Sequence, residues 1–143
     1  MKYDSRLHFF LSLAEAHAKI VHVFDRRLGG LGFSDFVLLY HLHEAEGEKM
    51  RRVDLAEKMG MTASGITRML LPMEKIGWIK REESKEDARV SFVKLAPGGK
   101  RLFSEAIERA ELVAEELLPS TDICKKKDIN DIFDLLSLGR IIS

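Results

Sequence analysis

Two arginines, Arg68 and Arg89, carry the side chains best suited to recognition chemistry in this chain of 143 residues. Arg68 follows Ala63, Ser64 and Thr67, so a helix through them gathers a guanidinium and two hydroxyls near its start. Arg89 follows the carboxylate of Asp87 by two residues. Planar guanidinium groups beside small hydroxyls bind phosphate oxygens and base edges, and they do so without a nucleophile or an acid-base pair. The formal net charge is zero, but it is unevenly spread: residues 1–48 hold 5 basic and 7 acidic side chains, residues 49–101 hold 13 and 7, and residues 102–143 hold 5 and 9. A basic middle between acidic ends is the pattern of a chain whose central part meets a polyanion. The plainer alternative is a solvated charge pattern with no partner.

Other reactive side chains offer less. Cys124, the single cysteine, precedes Lys125-Lys126-Lys127, whose ammonium groups can stabilise a thiolate and make a redox switch. No second thiol exists to resolve an oxidised form, and the alternative is a cysteine in an interhelix loop. A cysteine hydrolase would need an oriented His and carboxylate, which the pattern does not supply. Of the five histidines, His41 and His43 are two apart and His17 and His22 five apart, spacings poorly matched to one metal on a helix. A metal-sensing regulator would draw on His8, His17, His41, Glu44 or Cys124, but no metal is expected. Gly30-Leu31-Gly32 lacks the third glycine and the preceding strand of a nucleotide loop. Neither an enzyme nor a cofactor is therefore expected.

The elements that must position the arginines lie within residues 55–95. The small Ala56, after Leu55, lets two helices approach at a steep angle, Gly60 offers the positive φ of a tight turn, and Thr62 can cap a second helix whose Ile66 points into a core. The expected helices are 52–59 and 62–76. Trp78-Ile79-Lys80-Arg81-Glu82 and Val90-Ser91-Phe92-Val93-Lys94-Leu95 are rich in β-branched and aromatic residues, and Ser84-Lys85-Glu86-Asp87-Ala88 separates them as a charged tip. The whole is a helix-turn-helix followed by a β-hairpin wing, which makes double-stranded DNA the expected partner.

These residues resemble the MarR family of winged-helix transcription factors. The matching pieces are Leu55-Ala56, Ser64-Gly65-Ile66-Thr67-Arg68, Met73-Glu74-Lys75-Ile76-Gly77-Trp78-Ile79-Lys80-Arg81, the pair Asp87 and Arg89, and Leu95-Ala96-Pro97-Gly98-Gly99. They span roughly residues 35–103. Three positions depart from the family pattern. Ala96 stands where a Thr usually caps the next helix, Gly65 where a hydroxyl side chain is frequent, and Pro72 inside the recognition helix, where it removes a backbone donor and favours a bend.

On this reading helix 62–76 enters the major groove N-terminus first, presenting Ala63, Ser64, Thr67 and Arg68. Arg68 is the candidate for a bidentate guanine contact, with a phosphate contact as the alternative. Arg89, at the end of wing 82–90, is placed to reach the electronegative minor groove, while Asp87 braces the wing through Arg81 or Arg89. An ordinary surface ion pair is the plainer reading of Asp87 and Arg89. Lys80, Lys85 and Lys94, with Arg51 and Arg52, add phosphate attraction.

The flanks are helical. Residues 7–28 carry apolar side chains at Phe10, Leu13, Ile20, Val21, Phe24 and Leu28; a second helix starts at Ser34; a long helix follows Pro97 to Pro119; a last one runs from Asp128 to about Leu138. Such stripes exceed what one winged helix covers. The resemblance implies an antiparallel, two-fold homodimer in which the first helix and the last two interlock, with Leu7, Leu11, Leu112, Ile129, Phe133 and Leu136 as candidate interface residues and intrachain core as the alternative. It also implies small aromatic effectors bound between arms and head, for which His17, Phe36, Tyr40, His41 and Met73 are candidate lining residues; aromatic and Met side chains at that spacing are otherwise core. The expected architecture is mainly α with a small β-hairpin in a single domain, the winged-helix part 34–103 flanked by dimerisation arms 1–33 and 104–143.

Length suffices for a real core, one cysteine excludes a disulfide framework, and no run of 18 apolar residues occurs, so a cytoplasmic protein is expected. Lys2 and Arg6 before the apolar run 7–14 mimic a short signal peptide, but the apolar period continuing through Phe24 favours a helix. A winged-helix scaffold that pairs with proteins and never binds DNA is the alternative from another class.

Overall fold

The computed structural model describes residues 2–120 and 122–137, with only the backbone described for Cys124, Leu135, Leu136 and Ser137. The redox reading of Cys124 and the interface reading of Leu136 lie outside the described residues. The chain divides into two compact units, Met1–Ala110 and Glu111–Ser143.

Helix α1, Ser5–Asp25, starts two residues earlier than the apolar pattern indicates, because Asp4 accepts the Arg6 N–H at 2.8 Å and caps it. It also stops earlier. Gly29 and Gly30 both take positive φ, and the connection buries Leu28 and Leu31. Helix α2, Phe33–Glu44, begins one residue before Ser34, with Gly32 as a cap that has no side chain to offer. The missing acceptor comes from the previous helix: the Phe33 N–H donates to Asp25 Oδ1 at 2.7 Å. Desolvation, and secondarily the Asp25 charge, raise the Asp35 carboxyl above its ordinary value.

After α2 a 3-10 turn at Glu46–Glu48 places Gly47 and Glu48 at positive φ and feeds a strand, β1, Lys49–Arg51. This strand corrects the expected two-stranded wing. The sheet has three antiparallel strands in the order β1-β3-β2, with β2 at Ile79–Glu83 and β3 at Ser91–Leu95. Sequence periodicity misses β1 because it is three residues long and two of them are charged.

Helices α3, Arg52–Met59, and α4, Ala63–Ile76, form the expected helix-turn-helix. Gly60 has φ 62°, and its N–H and that of Met61 bond the Glu57 and Ala56 carbonyls, closing α3. Thr62 Oγ1 accepts the Gly65 N–H at 3.1 Å and caps α4. Leu55, Ala56, Ile66, Leu70 and Met73 are buried, so the faces of α3 and α4 meet over the residues expected to do so. Leu55, Ile66, Leu70 and Met73 each contribute about 1.5–3 kcal/mol by leaving water, and Ala56 less. Pro72 lies on the exposed side of α4, which continues past it to Ile76.

Alternation along β3 turns Val93 and Leu95 inward against Leu38, Leu39 and Leu42 of α2, all of them buried. A train of rings, Phe24, Phe33, Phe36, Phe103 and His43, continues this core at centroid spacings of 4.6, 6.4, 5.4 and 4.8 Å. Helix α5, Pro97–Leu117, starts without a hydroxyl cap, as Ala96 foreshadows. Backbone holds it instead: the Ala96 N–H bonds the Trp78 carbonyl, and the Lys100 N–H bonds the Ala96 carbonyl, both at 3.0 Å. A β-carbon at Gly99 would overlap the Trp78 carbonyl, so only glycine permits this approach. The second unit contains the end of α5, a short 3-10 turn at Ile123–Lys125, and helix α6, Lys127–Ser137. Among the described residues no helix is long and apolar enough to cross a membrane.

Candidate nucleic-acid interface

The start of α4 is open to solvent. Ala63, Ser64 and Arg68 are exposed and Thr67 is half-buried. Ser64 Oγ lies 3.3 Å from Thr62 Oγ1, beside the capping oxygen. A β-carbon at Gly65 would sit 3.1 Å from that same Thr62 oxygen. This gives a local reason for the departure from a hydroxyl residue at position 65: a larger side chain would press on the cap.

Arg52 does more than supply charge. Its Nη1 donates to Thr67 Oγ1 at 3.1 Å, bridging α3 and α4. Arg51, at the junction of β1 and α3, is exposed and paired with Asp54 at 2.9 and 3.2 Å. The bond to Asp54, then its charge, raise the Arg51 pKa above its ordinary value.

The wing is built by short polar side chains bonding to nearby backbone. Ser84 Oγ accepts the N–H groups of Glu86 and Asp87 at 3.2 and 3.3 Å, and the Ser84 and Val90 backbones close the loop. Asp87 Oδ1 accepts the Arg89 N–H at 3.0 Å, and its two oxygens take the Arg89 guanidinium at 3.2 and 3.4 Å. The bonds from the Arg89 side chain, then its backbone, hold the Asp87 carboxyl below its ordinary value. The Arg89 side chain remains 91% exposed. Of the two partners expected for Asp87, the structure selects Arg89; Arg81 lies 3.9 Å from Glu74 instead. Lys85 is exposed on the loop.

Sheet register adds a row that sequence patterning misses. Lys49 pairs with Lys94 and Lys80 pairs with Lys94, so three lysines cross one face of the sheet side by side. Glu82 anchors two of them, at 2.8 Å to Lys49 and 3.6 Å to Lys94, and its carboxyl is held below its ordinary value chiefly by the Lys49 bond. Lys49 Nζ also lies 4.8 Å over the Phe92 ring. The missed signal is non-local, since it exists only once β1 pairs with β3.

The residues considered for a ligand pocket are differently placed. Phe36 and Met73 are buried in the core, Tyr40 and His17 are exposed, and His41 is half-buried with its ring 5.3 Å from that of Tyr40. Burial, and then the charge of Lys58, lower the His41 pKa. An open depression of about 250 Å³ is lined by His22, Val23, Arg26 and Arg27, and a crevice of about 10 Å³ by Arg52, Leu70, Glu74, Ile79, Lys80, Arg81 and Val93. Neither includes those five residues. Among the described residues no group of three or more His, Cys, Asp or Glu is arranged to hold a metal ion. Of the arm residues, Leu7, Leu11, Leu112 and Phe133 are exposed and Ile129 is half-buried.

The MarR family model matches residues 33–91, from α2 through the wing. The HTH-type transcriptional repressor YetL of Bacillus subtilis (strain 168) is 26% identical over 138 residues, which cover 92% of this chain and 83% of that relative. Among solved structures, Sco3205, a MarR family transcriptional regulator from Streptomyces coelicolor in complex with DNA, has a TM-score of 0.81 at 22% identity, over 97% of this chain and 90% of that one. BpsR of Bordetella bronchiseptica, whose DNA binding is regulated by 6-hydroxynicotinic acid, has a TM-score of 0.74 at 17% identity, over 91% and 98% of the two chains. At these identities the two structures establish the fold, a winged helix with long terminal helices. The MarR family pattern thus lies on the segment that carries Arg68 and Arg89, and a transcriptional repressor is similar to the chain along most of its length.

Proposed function

We propose that the protein is a homodimer that reads a pseudo-palindromic DNA duplex, with α4 in the major groove and wing 82–90 in the minor groove. The observation that carries this reading is the pairing of two open, positively charged tips on one scaffold: the start of α4 with Ser64 and Arg68, and the wing with its exposed Arg89. Arg68 reads a base edge, Arg89 the minor groove, and Arg51, Arg52, Lys85 and the sheet lysines attract phosphates. The bound duplex in the Sco3205 structure supports DNA as the partner.

The arms supply the second subunit. Leu7 and Leu11 in the first unit are 46% and 50% exposed, and Leu112 and Phe133 in the second are 58% and 48% exposed. Side chains of that size stay in water at a cost of about 1.5–3 kcal/mol each, which a partner subunit would recover. Two heads on a two-fold axis fall about one DNA turn apart, roughly 34–36 Å. A small aromatic effector that changes this spacing releases the DNA, because it favours one arrangement of the heads over another. The regulation of BpsR by 6-hydroxynicotinic acid supports an effector of this class, with Tyr40 and His41 as its nearest candidate contacts. A regulator of this kind works in the cytoplasm, where its DNA is.

Fluorescence anisotropy tests the reading, using the purified protein, a labelled duplex from upstream of its own gene, and two salt concentrations. Tight binding that weakens steeply with salt and selects a pseudo-palindrome is expected. No binding at low salt would favour a winged-helix protein scaffold instead.

A further inference from the structure

We propose that Arg52 is a positioning residue that sets the Thr67 hydroxyl as a hydrogen-bond donor, so that position 67 selects an acceptor atom on DNA. The inference rests on the DNA-reading function above and assigns a chemical direction to one contact within it.

A threonine hydroxyl is ambivalent, with one donor hydrogen and two acceptor lone pairs. Left free on a recognition helix, Thr67 would serve a base acceptor and a base amino group alike. Arg52 narrows that choice, because it occupies one of the two lone pairs and sets a positive charge beside the oxygen. A guanidinium has five donors and no acceptor, and it does not lose its proton in a protein. The contact of 3.1 Å between Arg52 Nη1 and Thr67 Oγ1 therefore has one possible direction, with arginine donating and threonine accepting. The Thr67 proton is turned away from the guanidinium. A hydroxyl that accepts a charge-assisted bond is also polarised into a stronger donor.

Placement gives the freed proton somewhere to go. Thr67 stands one turn after Ala63 and Ser64, on the face that they expose. Among the described residues its hydroxyl makes no other hydrogen bond. Both Arg52 and Thr67 are half-buried, so the pair is sheltered from bulk water while its outer edge remains open. The acceptors available there are purine N7 or O6, thymine O4, and phosphate oxygens. Amino groups of adenine and cytosine are disfavoured, because they would have to use the one lone pair that Arg52 leaves and bring their electropositive hydrogens up to the guanidinium. The hydroxyl at 67 thus filters DNA atoms by polarity, and the filter is set from α3.

The test is a double-mutant cycle read by anisotropy on the duplex selected by the wild-type protein. Thr67→Val and Arg52→Ala are measured singly and together, with Thr67→Ser and Arg52→Lys as controls and thermal melting to verify folding. Thr67→Val is expected to weaken binding about 2- to 10-fold. Thr67→Ser restores it, and in the Arg52→Ala background the Thr67→Val change has less effect, because the hydroxyl is no longer oriented. Duplexes carrying 7-deazapurine or a methylphosphonate at single positions separate the two acceptor sources. The modification that removes the true acceptor weakens the wild type but leaves Thr67→Val unaffected. Losses from Thr67→Val and Arg52→Ala that multiply independently, or a Thr67→Ser variant that binds no better than Thr67→Val, would overturn the proposal. A wild-type protein that binds no duplex overturns the DNA-reading function first, and this inference with it.

Discussion

Asp87 holds Arg89 at three points: the backbone N–H at 3.0 Å, Nε at 3.2 Å and Nη2 at 3.4 Å. On the proposed reading of the wing as a DNA contact, a carboxylate there would repel phosphate, so its presence needs a reason. The geometry gives one, since the backbone bond folds the loop and the side-chain bonds aim the guanidinium. Asp87→Ala is accordingly expected to weaken DNA binding several-fold even though it removes a negative charge. Tighter binding by the alanine variant in a titration at fixed salt would mean that Asp87 acts only as a repulsive charge. Asp87→Asn retains an acceptor for the backbone bond and is expected to fall between the two.

Arg68 and Arg89 differ in what surrounds them, which separates their expected effects. Among the described residues Arg68, near the start of α4, has no acidic partner, whereas Arg89 is tethered to the loop by Asp87. Arg68→Ala should cost about 1–3 kcal/mol on the preferred duplex and relax the preference at one position per half-site. Arg89→Ala should weaken binding to all duplexes more evenly and flatten the salt dependence. Competition binding across single-base variants distinguishes them, and equal, sequence-blind losses from both changes would refute these roles.

Gly99 and Trp78 set how closely α5 approaches the wing. A methyl group at 99 would occupy the volume of the Trp78 carbonyl oxygen, which also accepts the Ala96 N–H. Backbone cannot yield as a side-chain end can, so Gly99→Ala should destabilise the fold by about 1–3 kcal/mol despite the better helix propensity of alanine. Urea denaturation measures this, with Ser104→Ala, at an exposed position of the same helix, as reference. Equal stability of the two variants would show that the helix can shift at no cost.

What was legible in the sequence was local. Ala56, Gly60, Thr62 and Ile66 act within one or two turns of themselves, and steric size, positive φ and a capping oxygen are properties of the residue type. Features built by distant partners were not legible. Strand β1 exists through its pairing with β3, and α2 is capped by Asp25 of α1 rather than by the nearby Ser34. The bond of Arg52 to Thr67 was not legible either, because it exists only once α3 and α4 pack together. The apolar surplus of Leu7, Leu11, Leu112 and Phe133 was visible as a surplus, but what covers it is not encoded in the periodicity of one chain.

His41 links this architecture to pH. Burial on α2, followed by the positive charge of Lys58 on α3, lowers its pKa below the ordinary 6.5. The unfolded chain then takes up a proton before the folded one does. As pH falls below about 6.5, the proton favours unfolding, and the loss of stability continues until the folded protein titrates as well. Asp4, Glu82 and Asp87 are held below their ordinary values by Arg6, Lys49 and Arg89 and titrate at lower pH, whereas Asp35, raised by burial, opposes the His41 trend because its protonation favours the folded state. A comparison of two proteins that differ only at position 41 cancels both contributions. His41→Gln removes the titrating group and keeps a polar side chain. Its urea midpoint is expected to change less than that of the wild type between about pH 7.5 and 5.5, within the range where a histidine normally titrates. Parallel losses in the two proteins would assign the pH dependence to another histidine and leave His41 free to protonate in the folded state.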